Sequence, residues 1–130
     1  MERIIKVGKY EFAAKSTAAS LFSYKRNFNR DGLKDLIALA QGMPDEAKET
    51  DVITALIENN FDFDTFFRFL WVFAKAGNSE IPPIEKWLEG FDMAPVDFAV
   101  EALGQSMDLL FDTTKTMVQP KNRPAAAAMR

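Results

Sequence analysis

Residues 61–77 read FDFDTFFRFLWVFAKAG, and their periodicity decides what kind of fold the chain can adopt. Six of the twelve phenylalanines fall between Phe61 and Phe73, with Trp71 among them. At about 100° per residue, Phe63, Phe66, Phe67, Leu70 and Ala74 form one helical stripe. Phe69, Val72, Phe73 and Ala76 cover most of the remaining surface. Asp64, Arg68 and Lys75 are left on a narrow polar strip, with Asp64 and Arg68 in the i, i+4 relation of an ion pair. Asp62 stands where an N-cap belongs. A helix apolar nearly all round is either the centre of a core or part of a contact between subunits.

Outward from that helix, the rest of the chain supplies layers to cover it. Glu2 to Ala14 reads as a small β-hairpin: Ile4, Ile5 and Val7 are β-branched, Gly8-Lys9 can turn, and Tyr10 and Phe12 alternate with Lys9 and Glu11. Two strands alone are marginal, so the hairpin must lean on helices. Ser16 or Thr17 can cap a helix with Ala18, Leu21, Phe22 and Phe28 inward. Asp31 caps the helix GLKDLIALAQ, with Leu33, Leu36, Ile37 and Ala40 on one face and Gly42 as its stop. Met43 to Glu49, with Pro44, reads as a loop. Thr50 or Asp51 then starts a helix with Val52, Ile53, Leu56 and Ile57 inward, ending at Asn59-Asn60.

Gly77-Asn78 closes the aromatic helix. Pro82-Pro83 opens the short helix IEKWLEG, and Pro95 opens a last helix running to about Asp112. In that last helix Val96, Ala99, Val100, Leu103, Met107, Leu110 and Phe111 make an apolar stripe. Asp97, Glu101, Asp108 and Asp112 lie within about 60° of arc on the other side, beside Gln105. Such a ridge either faces water or meets a basic or helical partner. The reading is one mainly α domain, residues 1–113, with an N-terminal β-hairpin (about 2–14). The segment 114–130, with Pro120 and Pro124 and no amphipathic period, is expected to be a loose tail.

Composition narrows the function. The 130 residues contain no cysteine and no histidine. Zinc sites of Cys and His, disulfides, Cys nucleophiles and a Ser-His-Asp triad are thereby excluded. There is no GxxxxGK[ST] or GxGxxG phosphate cradle. Asp62, Asp64 and Asp31-Gly32 do not extend to a calcium loop. Lys15-Ser16 are sequence neighbours, poorly placed to act as a nucleophile pair. The expectation is a non-enzymatic protein without metal or cofactor. Net charge is −3 and the isoelectric point about 5.0, which disfavours nucleic acid. The single basic cluster, Lys25, Arg26 and Arg30 beside Tyr24 and Phe28, suits the C-terminal turn of a helix. No apolar run approaches the ~20 residues of a membrane span, and the N-terminus carries no secretory pattern, so a cytoplasmic location is expected.

The order of short motifs resembles the tail assembly chaperones of long-tailed bacteriophages and of prophages in Gram-positive bacteria. Those proteins open on a strand pair reading like I-G-G-K-x-Y-x-F, matched here by Val7 to Phe12 with Val7-Gly8 in place of two glycines. Their central L-W-x-x-x-K-x-x-N and W-L are matched by Leu70-Trp71 with Lys75 and Asn78, and by Trp87-Leu88. The resemblance covers roughly residues 4–112. It implies a protein that binds the tape measure protein, a long aggregation-prone helical chain, and recruits tail tube protein before release. It also implies action in the host bacterial cytoplasm and absence from the mature virion.

On that reading, surplus aromatics cover the partner's apolar helices, the ridge adds a salt-sensitive contact, and several copies associate. The partner-binding candidates are Phe66, Phe69, Trp71, Phe73, Trp87, Asp97, Glu101, Asp108 and Asp112. The rival readings are a small adaptor domain with one defined protein partner and, less favoured by charge, a nucleic-acid-associated protein using Lys25 to Arg30.

Overall fold

The computed structural model describes residues 1–43 and 52–111. Within them the order is β1 (Glu2–Val7), β2 (Tyr10–Lys15), α1 (Ser20–Phe28), α2 (Gly32–Gln41), α3 (Val52–Glu58), α4 (Phe63–Gly77), α5 (Ile84–Glu89) and α6 (Pro95–Leu110). This is the small, mainly α architecture with an N-terminal hairpin that the sequence predicts. The expected loop over 43–49, the helix start at Thr50 or Asp51, Asp112 and the tail 114–130 lie, apart from Met43, outside the described residues. So does the side chain of Val52.

The aromatic helix α4 is central. Asp62 caps it, its carboxylate accepting from the Thr65 amide at 3.1 Å. Thr65, Phe66 and every residue from Phe69 to Ala74 are buried. The helix packs against β2, α1, α2 and α6 at once, which is why a sequence apolar on nearly all sides is stable here. Fully burying each large side chain contributes about 1.5–3 kcal/mol, and Phe69 also stacks on Tyr24 with ring centroids 4.2 Å apart.

The hairpin is an antiparallel pair with Val7 opposite Tyr10 and Glu2 opposite Lys15. Gly8, at φ +59°, is the turn residue with a positive φ, the arrangement of a II′ turn with glycine first. Met1 and Ser16 exchange both main-chain hydrogen bonds, at 2.8 and 3.0 Å. Bonded pairs therefore alternate from there through Arg3–Ala14, Ile5–Phe12 and Val7–Tyr10. The intervening residues, Lys6 on β1 and Glu11 and Ala13 on β2, turn their N–H and C=O groups away from the hairpin. Ile5, Val7 and Ala14 are buried on the inner face, where Phe12 meets Trp87 edge-on at 5.1 Å.

Several helices are rotated from the expected faces. In α1 Ser20 and Tyr24 are buried, while Phe22, and Ala18 before the helix, are exposed and Leu21 is half-buried. The helix begins at Ser20 rather than at Ser16 or Thr17; Thr17 instead forms a turn, its N–H donating to Ser20 Oγ. Asp31 does cap α2 through the Lys34 amide and Gly42 does end it. Yet α2 buries Gly32, Asp35 and Leu39, leaving Leu33, Ile37 and Ala40 outside. In α3 Leu56 is buried but Ile53 and Ile57 are not. In α6 the buried set is Phe98, Ala99, Ala102, Leu103, Ser106, Leu109 and Leu110, with Val96 exposed.

Candidate functional site

Three features of the surface could carry function: the acidic face of α6, a charged cluster at the α1–α2–α4 junction, and apolar rows on α2 and α3. Each is built by a different local cause.

The α6 ridge is a clasp on β1. Lys6 presents both main-chain groups to this helix, and the Gln105 carboxamide takes both. Its Oε1 accepts from the Lys6 amide at 2.8 Å and its Nε2 donates to the Lys6 carbonyl. One turn earlier, Glu101 Oε1 accepts from the Gly8 amide at 2.7 Å. One turn later, Asp108 pairs with Arg3, whose Nε lies 2.9 Å from Oδ2. Gln105 thus pairs the edge of β1 as a neighbouring strand would, with Glu101 holding the turn amide and Asp108 the Arg3 side chain at i−4 and i+3. Ser16 Oγ adds a bond to the Leu109 carbonyl at 2.8 Å. Of the four acidic residues expected as a partner ridge, Glu101 and Asp108 are engaged within the fold. Asp97 is exposed in the first turn of α6, and Asp112 is outside the described residues.

The aromatic candidates are also placed inside. Phe66, Phe69, Trp71, Phe73 and Trp87 are all buried, so in this conformation none offers a surface to a partner. Trp71 is anchored by its indole N–H to the Pro82 carbonyl at 2.8 Å. Most of the aromatics are consumed by the core because α4 packs against β2, α1, α2 and α6, and Trp87 closes over the hairpin; Phe63 and Phe67 stay half-buried.

Sequence reasoning missed the charged cluster. Asp35, on α2, is buried and receives three cationic or hydroxyl groups, from α1, from α4 and from the loop between α1 and α2. Tyr24 Oη donates to Oδ2 at 2.6 Å. Arg30 holds both carboxylate oxygens, at 2.6 and 3.0 Å. Arg68 Nη2 stands 3.8 Å from Oδ2. Arg68 also donates to Tyr24 Oη at 2.8 Å and to Thr65 Oγ1 at 2.9 Å. The expected Asp64–Arg68 pair is therefore replaced: Arg68 turns inward, because a buried carboxylate and phenol need donors more than an exposed aspartate does.

Arg30, expected at a helix terminus, is instead Asp35's bidentate partner; Lys25 and Arg26 do lie in the last turn of α1. Hydrogen bonding from Arg30 holds the Asp35 carboxyl below the usual carboxylate range, against the opposing effect of burial. Burial first, then its bond to Asp35, pushes the Tyr24 phenol up. Every member has a partner within the cluster, so it pins α1, α2 and α4 together. The one signal in the sequence was Asp35 itself, a charge amid the apolar residues of α2.

The apolar rows are what remains open. Phe22 is 76% exposed, Ile57 64%, Leu33 54% and Ile37 52%. Leu33, Ile37 and Ala40 follow i, i+4, i+7 spacing along α2, and Ile53 and Ile57 follow i, i+4 along α3. Beside the α2 row, Leu36, Ile37, Ala40, Gln41 and Phe111 line a shallow cavity of about 360 Å³. Among the described residues no group of three or more acidic side chains could hold a metal ion. No described helix is long and apolar enough to cross a membrane. Compared with protein-family models, curated proteins and solved structures, the chain matches none.

Proposed function

We propose that this protein is a tail assembly chaperone of a phage or prophage, a non-enzymatic binder that shields the helices of a tape measure protein and helps recruit tail tube protein. The observation that carries the reading is the exposed apolar row Leu33–Ile37–Ala40, with its adjoining cavity. Rows at this spacing fit an amphipathic helix laid alongside, the helix-in-groove mode of recognition. The motif order around Val7 to Phe12, Leu70-Trp71 and Trp87-Leu88 supports the same family.

The partner face is thereby moved from the aromatic helix, which is core, to α2 and α3. Several copies act stoichiometrically along one long chain, in the host cytoplasm, and leave before the virion matures. Co-expression with the tape measure protein encoded in the same genome, followed by affinity capture and light scattering, tests this. A soluble complex with several copies per partner is expected. An insoluble partner, with this chain eluting alone, would overturn the reading and favour a single-partner adaptor.

A further inference from the structure

The two outer edges of the hairpin are treated differently. On the β1 side, Lys6 is paired at both main-chain groups by Gln105, and the amide of the turn residue Gly8 by Glu101. On β2, the end of α4 abuts Ala13 so closely that a Cβ on Gly77 would lie 2.9 Å from the Ala13 carbonyl oxygen. One pleat nearer the turn, the N–H and C=O of Glu11 face away from β1, and Glu11 lines a cavity of about 500 Å³. Among the described residues none supplies a hydrogen bond to either group. Ile81, Trp87, Phe91 and Phe12 give the cavity apolar walls, and Glu11 is the one charged residue that lines it.

We infer that this edge is a docking site for an extended peptide segment of a partner protein, added beside β2 as a third strand. An unpaired main-chain donor and acceptor on one residue specify a strand rather than a helix, since a helix has spent its own main-chain groups. Strand pleating fixes the pattern of the occupant. The residue opposite Glu11 shares its face and is basic; its neighbours point the other way, onto Trp87 and Phe91, and are apolar. A second copy of this chain is a poor occupant, because antiparallel pairing of two β2 edges about Glu11 would set carboxylate against carboxylate. The site is independent of the helix-shielding rows on α2 and α3, and its failure would leave that reading standing.

The probe is the capped peptide acetyl-Val-Lys-Leu-amide, short enough to end before the Ala13–Gly77 contact, titrated into the full chain labelled with ¹⁵N. Saturable shifts of the Glu11 and Ala13 amides are expected. Methylating the central lysine's main-chain nitrogen removes the donor to the Glu11 carbonyl and weakens binding about tenfold. Glu11→Lys, an exposed change that leaves the core untouched, weakens it to a similar degree and reverses its salt dependence. Three outcomes would overturn the site: no saturation at millimolar peptide, shifts confined to other residues, or equal binding of the methylated peptide.

Discussion

Helices α2 and α4 both carry a clear apolar pattern, and the fold uses them in opposite ways. In α4 the pattern is so broad that any orientation buries aromatics, and the chain wraps the hairpin and the other helices around it. In α2 the stripe Leu33, Leu36, Ile37 and Ala40 is cleaner, yet the helix is turned so that Asp35 and Leu39 face inward. The difference lies in what each helix must satisfy. Tyr24, Arg30 and Arg68 form a polar socket that only a carboxylate can complete, and Asp35 is its match. Filling it rotates α2 and leaves Leu33 and Ile37 uncovered. An apolar row on the outside of α2 is thus tied to a buried charge on its inside.

The sharpest way to break this contrast is at the centre of α4. Phe69→Ala removes a fully buried ring stacked on Tyr24 and is expected to cost about 3–5 kcal/mol, read from urea unfolding midpoints. A loss under about 1 kcal/mol would mean that α4 is not the core.

Next in size is the socket. Asp35→Ala leaves Tyr24 and Arg30 without their acceptor and Arg68 without its counter-ion, and is expected to cost about 2–3 kcal/mol. Its pH dependence has a definite sign. The folded carboxyl is held below its unfolded value of about 3.9, so its contribution is present above that pH and is lost as pH falls through the lower folded value. Unfolding midpoints of the native chain should therefore fall more steeply between pH 5 and pH 2, on the order of those limits, than midpoints of Asp35→Asn. Parallel curves would remove Asp35 from the account.

A smaller effect is expected at the β1 clasp. Gln105→Ala opens both main-chain groups of Lys6 and should cost about 1 kcal/mol, with faster hydrogen exchange at the Lys6 amide. Unchanged exchange would show that the clasp is incidental.

Much of this architecture was legible in the sequence because local chemistry dictates it. Asp31 and Asp62 as caps, Gly42 as a stop, Pro95 as a helix start and Gly8 in the turn each follow from their own residue and its neighbours. The direction in which α1, α2 and α3 face did not follow, whereas α6 turns most of its expected stripe inward. Periodicity shows that Leu33 and Ile37 share a face, but it is silent on whether anything covers that face. The α6 ridge was misread for a related reason. Glu101, Gln105 and Asp108 look like a solvated or partner-binding row until β1 is placed beside them, a pairing about a hundred residues away in sequence. Surplus aromatics misled in the other direction, because a core centred on one helix absorbs more rings than its layer count suggests.

On the proposed function the partner face is the outside of α2 and not the aromatic helix, and one double substitution tests that placement. Leu33→Ser with Ile37→Ser alters two exposed side chains, so stability should stay within about 0.5 kcal/mol of the native chain. Capture of co-expressed tape measure protein by that variant, compared with the native chain at equal expression, is the measurement. Capture is expected to be lost while the unfolding midpoint is unchanged. Undiminished capture by a folded double variant would contradict it.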